Sequence, residues 1–535
     1  MLKDGLLVVI ALLFVVSMLA MLSDKLRISY PILLVVAGLG ISVIPGIPLI
    51  RLEPDVVFII FLPPLLYSAA WNTSWHAFWR MRRPIGMLAF GLVLLTAVAV
   101  AYFAHWLIPD FPLELGFLLG GIVSPPDAVA ASSVLEKLKV PKRVTTVLEG
   151  ESLVNDASSL IVYRFALAAL FTGRFVFVQA GMNFLAVVFV GILIGLAIAH
   201  VVYAIHRWLP TTATIDTGIT LITPYLMYIT AEHFHSSGVL AVVSGGLFLS
   251  FRSQDIFDYG SRLTTLSVWN VLVFLLNGIV FILIGLQLPG IIRGLGEYSL
   301  QAAILYGLCI SAVAIAVRLL WVYPGAYLPR LISGRIRRRE RRPPGRQTFL
   351  IGWSGMRGVV SLASALAIPI ALPGGEEFPH RNLILCITFI VILVTLVIQG
   401  LTLPLIIRWL GIEADDGERE KQLSLRLRLA SVALAHINTA YGDDASSIEA
   451  FVRLKERYEK MVDLTGKILE KEDENAVIPA FLPRFRQLQL ELIGLQRTEL
   501  ARVRQQNEFP EELVRNEEFQ LDLEEARMRR NRMLH

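Results

Sequence analysis

The sequence predicts an all-α polytopic membrane protein, with about thirteen transmembrane helices followed by a helical tail. Three observations carry this. Apolar runs of bilayer-spanning length recur from the N-terminus to about residue 410 and then stop. The chain of 535 residues is 55% hydrophobic and only 17% charged, with a mean hydropathy of +0.63, too little charge for an ordinary soluble chain. Its basic residues fall in alternate loops, as they do in a chain that threads a membrane. The expected division is a transmembrane domain over residues 1–410 and a cytoplasmic helical domain over 411–535.

A helical span needs about 20 apolar residues. The expected spans are 5–22, 30–50, 55–71, 84–108, 113–136, 144–171, 175–206, 216–232, 236–251, 264–291, 299–329, 347–372 and 382–410. The first run has one lysine before it and no small-residue cleavage pattern after it, so it reads as a retained span rather than a signal peptide. An odd number of spans puts the termini on opposite sides.

The loops decide which side is which. One set carries Lys25 and Arg27; Arg80, Arg82 and Arg83; Lys137, Lys139, Lys142 and Arg143; Arg207; Arg252 and Arg262; and the basic Arg330–Arg346 loop. The other carries little more than Arg51, Arg174, Arg293 and Arg381, beside acids such as Asp110, Glu114, Glu376 and Glu377. Positive charge stays cytoplasmic, so the N-terminus is expected outside and the tail inside, in a cell membrane. This placement also accounts for the net charge of +5 and the pI of about 9.1. The lipid bilayer is the expected partner, and nucleic acid is not. Cys309 and Cys386 both lie in apolar spans, where they read as small buried hydrophobes and not as a disulfide framework.

Ionisable residues deep in spans are costly and point to function. Four regions hold them. In Gly120-Gly121-Ile122-Val123-Ser124-Pro125-Pro126-Asp127-Ala128, two glycines and two prolines sit within a span. Proline removes a backbone donor and clashes with the preceding turn, so the helix is expected to break near Ser124–Pro126. A broken span leaves helix ends inside the membrane, and such ends bind ions or charged side chains. Asp127 lies just after the break, at a helix N-terminus, where a carboxylate is favoured. A plain kink with a capping Asp is the structural alternative, and it is compatible with a functional one.

The second region is Leu148-Glu149-Gly150-Glu151-Ser152-Leu153-Val154-Asn155-Asp156-Ala157. Glu149, Ser152 and Asp156 share one helix face, and Glu151 and Asn155 share an adjoining one. Glu149 lies nearest the cytoplasmic end and is expected to be partly solvated; Asp156 is deepest. A carboxylate held away from water becomes easier to protonate, so a deep acid can trade a proton near neutral pH. Small hard cations prefer oxygen ligands of this kind. The third region is Arg318, alone in an apolar span, which must find an anion. The fourth is Gly352-Trp353-Ser354-Gly355-Met356-Arg357-Gly358, where glycines mark a second break and Arg357 is placed to neutralise a helix C-terminus. Both arginines read as structural charge partners. The two broken helices are the fifth and twelfth spans, an offset of seven. That spacing fits two inverted repeats of six spans.

The tail reads as amphipathic helices over 420–438, 446–471, 480–507 and 510–531, with breaks at Asn438–Ser446 and Asp473–Pro479. It is either a solvated appendage or a regulatory or dimer-supporting domain, and it carries no ligand motif.

At this point the sequence resembles the monovalent cation:proton antiporter-1 family of Na⁺/H⁺ exchangers. The match covers roughly residues 10–410 and is most specific from Ser124 through Ala157. Asp127 falls on the family's unwound-helix Asp, and Glu151-Ser152-Leu153-Val154-Asn155-Asp156-Ala157 on its signature with the Asn-Asp pair. Phe61-Leu62-Pro63-Pro64-Leu65-Leu66, Arg318, Gly355-Met356-Arg357-Gly358 and Gln399-Gly400-Leu401-Thr402-Leu403-Pro404 match further segments in order. The resemblance implies the sodium/proton antiporter fold with crossed broken helices, and a homodimer whose core domain moves past a fixed one. It implies Na⁺ and protons as cargo, with Na⁺ held by Asp156, Asp127 and Ser152 near Asn155, and a structural Glu151–Arg318 ion pair. An Asn-Asp pair goes with electroneutral exchange, and the role implied is pH and sodium homeostasis. Three departures matter: Pro126 precedes Asp127 where the family often has Asp-Pro, Ser68 stands where many bacterial relatives carry an acid, and Glu149 is an extra acid.

The expectation is therefore a secondary transporter, with no catalytic residue and no cofactor. K⁺ and Li⁺ remain alternatives to Na⁺. A channel would need a continuous aqueous path, whereas one buried carboxylate shared by two ions suits alternation. A membrane-embedded aspartyl protease could use Asp127 and Asp156 as its dyad, but it leaves Asn155, Glu151 and two intramembrane arginines without a role. A sensor would need an output domain, and the tail shows none.

Overall fold

Backbone inside lipid must satisfy every amide within the protein, and a helix does this within one segment. The computed structural model describes residues 2–26, 29–44, 54–135, 138, 140–172, 177–296, 298–339, 342–372, 375–412, 416–441, 448–469, 481–506 and 511–530. Arg27, Arg51, Lys137, Lys139 and Arg174 lie outside these residues. So do residues 45–50 of the second expected span, part of the Asn438–Ser446 break and all of Asp473–Pro479. Among the described residues the regular structure is helical, apart from one isolated bridge between Ala371 and Glu377. The chain divides into two units, Met1–Ala414 and Asp415–His535.

The first unit contains α1 (Leu2–Leu26), α2 (Tyr30–Ser42), α3 (Pro54–Asn72), α4 (Arg82–Leu107), α5 (Leu113–Val123), α6 (Ala128–Leu135), α7 (Lys142–Thr172) and α8 (Phe177–Trp208). It continues with α9 (Ala213–His233), α10 (Gly238–Phe251), α11 (Tyr259–Leu286), α12 (Leu300–Ile332), α13 (Gly345–Trp353), α14 (Val359–Leu366) and α15 (Arg381–Leu410). Among the described residues, seven segments are long and apolar enough to cross a membrane: α4, α5 with α6, α7, the Phe184–Trp208 part of α8, Tyr259–Arg293, α12 and α15. Shorter apolar helices run Val9–Ser23, Tyr30–Ser42, Phe58–Asn72 and Gly238–Phe251.

Local chemistry sets several helix starts. Thr212, Ser237 and Ser299 are N-caps whose hydroxyls accept from the amides of Ile215, Leu240 and Ala302. Asp258 does the same for Ser261 at the start of α11, at 2.7 Å. Two spans widen into a π-turn, α4 at Met87–Leu92 and α15 at Thr395–Gln399, and both turns adjoin the site described below.

Burial separates inner from outer helices. The apolar windows of α15 and of the α5–α6 segment are 78% and 72% buried, and that of α8 only 22%. The interrupted segment therefore runs through the interior. Leu185, Phe189, Leu193 and Val201 of α8 are exposed, an apolar surface suited to lipid or to another membrane helix.

The described helices of the second unit are α16 (Asp416–Ala440), α17 (Glu449–Leu469), α18 (Phe481–Gln506) and α19 (Glu511–Arg530). Exposed pairs one turn apart, such as Asp463 with Lys467 at 2.7 Å, line α17. Arg497 of α18 reaches Asp522 and Glu525 of α19, at 2.5 and 2.7 Å, and ties those two helices together.

Candidate functional site

The helix breaks where its backbone cannot continue. Pro125 and Pro126 remove two donors, and α5 stops at Val123 with α6 resuming at Ala128. The second interruption separates α13 from α14 over Ser354–Gly358. The two interruptions touch: the Asp127 amide donates to the Met356 carbonyl at 2.6 Å.

This meeting leaves four helix ends inside the unit, and a charged side chain answers each. The ends of helices carry about half a charge, positive at the N-terminus and negative at the C-terminus. Asp127 accepts from the Val129 amide at 2.8 Å, capping α6, and also from the Val359 amide, capping α14. One carboxylate thus serves two positive ends. Gly358 permits this approach, since a Cβ there would collide with the Asp127 carboxylate. At the negative ends, Arg357 Nε donates to the Val123 carbonyl of α5 at 3.1 Å, and its Nη1 to the Gly355 carbonyl. Arg318 donates to the Gly352 and Ile351 carbonyls of α13, both at 3.1 Å. The helix end that Arg357 reaches belongs to the other interrupted span, 234 residues away.

Helix α7 fixes the first interruption from the side. Asn155 Nδ2 donates to the Pro126 carbonyl at 2.8 Å, and the Ser152 hydroxyl accepts from the Ala128 amide at 3.2 Å. Ser158 donates to the Ala89 carbonyl in the π-turn of α4. Thr395, in the other π-turn, accepts from the Arg357 amide at 3.0 Å. Glu151 faces away from these contacts. It forms a two-pronged ion pair with Arg318, at 2.5 and 2.8 Å.

Asp156 is 7% exposed and opens onto a cavity of about 660 Å³. Asp127, Ser152, Glu149 and Ser68 line the same cavity, as does Asn277 of α11. Among the described residues, neither Asp127 nor Asp156 pairs with a basic side chain, while Glu151 does. The donors facing the cavity include the carboxylates of Asp127, Asp156 and Glu149 and the hydroxyls of Ser152 and Ser68, hard oxygens that suit a small monovalent cation. Among the described residues no three His, Cys, Asp or Glu side chains are placed to hold a metal ion together.

The residues singled out in the sequence divide into two groups in space. Asp127, Ser152, Asp156 and Glu149 border the cavity; Glu151, Arg318, Arg357 and Asn155 hold helices together around it. Two features were not anticipated. Asn277 carries no charge, and nothing marks it within its apolar run. A buried network of His206, Asp216 and Ser261 joins α8, α9 and α11, with Nδ1 and Oδ1 2.7 Å apart and the serine donating to Oδ2 at 2.6 Å. Its members sit near span ends, where polar residues attract no notice.

The model of the family described as sodium/hydrogen exchanger, transmembrane, matches residues 9–409. An uncharacterized Na⁺/H⁺ exchanger of Mycobacterium tuberculosis is 30% identical over 546 residues, covering 98% of this chain and 96% of that protein. A sodium, potassium, lithium and rubidium/H⁺ antiporter of Bacillus subtilis is 35% identical over 391 residues, 71% of this chain and 58% of that one. The solved structure of the sodium proton antiporter MjNhaP1 from Methanocaldococcus jannaschii has the same fold, with a TM-score of 0.60 at 20% identity over 75% of this chain and 99% of that one.

Proposed function

The chain belongs to the sodium/hydrogen exchanger family, and from that premise we propose that it is a Na⁺/H⁺ antiporter in which Asp156 alternates between a proton and a cation. Membership of a transporter family removes the aspartyl protease reading of Asp127 and Asp156. The observation that carries the mechanism is the contrast among the acids around the interrupted helices. Glu151 is neutralised by Arg318 and Asp127 is held by two helix N-termini, whereas Asp156 faces the cavity with no basic partner among the described residues.

In this reading the cation sits between Asp156, Asp127 and the Ser152 hydroxyl, and protonation of Asp156 releases it. Asn155 does not ionise, so a single carboxylate switches and each cycle moves one cation against one proton. The cavity side chains Ser68, Asn72, Ser132 and Glu149 lie towards the ends that the basic loops place in the cytoplasm, so the cavity faces inward. The N-terminus is then outside and the tail cytoplasmic, in a cell membrane, and the transporter serves pH and sodium homeostasis. The exposed apolar face of α8 supports a homodimer. The name of the Bacillus subtilis relative places K⁺ and Li⁺ beside Na⁺ as candidate substrates. Proton movement in everted membrane vesicles, with Na⁺, Li⁺ and K⁺ added in turn, tests the reading: at least one cation dissipates the pH gradient in the wild type and none does in Asp156→Asn.

A further inference from the structure

A second cavity, of about 590 Å³, lies on the other side of Asp156 along α7. Leu160, Arg164 and Leu167 line it from α7, Glu232 from α9 and Phe58 from α3. Asp156, Leu160, Arg164 and Leu167 recur on one helix face, so the face that borders the inner cavity continues into this one. The separation is thin. Asp156 borders the first cavity and Leu160 the second, one turn apart, about 6 Å of helix rise. Phe58 borders both.

Arg164 puts a charge in the wall of the second cavity. It lies eight residues before Thr172, the last residue of α7, or about 12 Å below that end. Its side chain is nonetheless 47% exposed. A charged group at that depth requires water or an anion, and Arg164 has both an open cavity and Glu232, whose oxygens it meets at 3.0 and 2.7 Å. Glu232 closes the corner between α9 and α10 as well, accepting from the Gly238 amide at 3.3 Å. The pair therefore ties the helix that carries Asp156 to the α9–α10 corner, in the wall of the second cavity.

We propose that Arg164 and Glu232 are the latch of the outer gate. While paired they hold α7 against α9, with Phe58 and Leu160 sealing the path between the two cavities, and the pair parts when Asp156 turns outward. The assignment rests on the antiport reading and on its orientation.

The test reads access to the gate rather than transport. In a chain carrying Cys309→Ala and Cys386→Ala, Leu160→Cys is labelled with a membrane-impermeant maleimide added outside intact cells. Glu232→Gln and Arg164→Gln are each expected to raise the labelling rate about two- to fivefold, the shift in open population that loss of a half-exposed ion pair supplies. The charge reversal Arg164→Glu with Glu232→Arg is expected to bring the rate back down. An unchanged rate in both single variants, a raised rate that the reversal leaves high, or labelling from the cytoplasmic face alone each overturns the latch. Labelling needs no exchange, so a chain without Na⁺/H⁺ activity overturns the antiport reading while the latch is still decided.

Discussion

Glu151 and Arg318 face each other through both carboxylate oxygens, at 2.5 and 2.8 Å, with each side chain 1% exposed. The guanidinium also donates to two carbonyls at the end of α13, so one arginine joins α7, α12 and α13. Removing either partner strands a buried charge, at a cost of about 3–5 kcal/mol. Glu151→Gln and Arg318→Met are each expected to lower the thermal unfolding midpoint in detergent markedly. The double variant should lose clearly less than the sum of the two. Additive losses would rule out the pairing.

Asp156→Asn keeps the shape of the side chain and removes its charge. Insertion and unfolding temperature should match the wild type, because no ion pair among the described residues depends on Asp156. Exchange should fall to the background of empty vesicles. Residual Na⁺-driven proton movement in reconstituted Asp156→Asn would assign the switching carboxylate elsewhere.

Gly358→Ala places a methyl group against the Asp127 carboxylate. The carboxylate must then leave the amides of Val129 and Val359, and both half-helices lose their cap. Exchange is expected to drop at least about tenfold, which needs only about 1.4 kcal/mol of misplacement. The Glu151–Arg318 contact lies on the other side of α7 and should keep the protein folded. A Gly358→Ala variant with wild-type rate and cation affinity would show that this close approach has no part in transport.

One switching carboxylate moves no net charge per cycle. Sodium-driven proton flux in proteoliposomes should therefore be indifferent to an imposed membrane potential. The rate should fall at low pH, where protons hold Asp156, and again at high pH, where its protonated form becomes rare. Flux that grows with the potential would require a second proton, and Glu149 is the first residue to examine, since it borders the same cavity.

Much of this architecture is legible in residue order because it depends on local chemistry. Pro125-Pro126 and the glycines around Arg357 break their helices wherever those helices lie. The acids of α7 stand out because an apolar run gives them no local reason to be there. The spacing of Glu149, Ser152 and Asp156 even places them on the face that borders the cavity. What stays hidden is pairing over long distances. Nothing local says that Arg357 answers Val123, that the Val359 amide turns to Asp127, or that Arg164 meets Glu232. A partner tens or hundreds of residues away is chosen by packing, and one sequence does not display packing.

The reciprocal capping of the two interrupted spans has a consequence for biogenesis. The carbonyl end of α5 is answered by Arg357, which the ribosome adds 234 residues after Val123. The Asp127 carboxylate likewise waits for the amide of Val359. Until then the carbonyl end of α5 stays unanswered inside the bilayer, so the site is completed only after α14 arrives. The order of synthesis thus makes assembly of the ion site a late and concerted event. A nascent chain arrested before Arg357 should leave Asp127 more reactive toward a water-soluble carbodiimide than the released full chain does, since the cavity keeps Asp127 within reach of water in both. Equal reactivity in the two would mean that the first half settles alone.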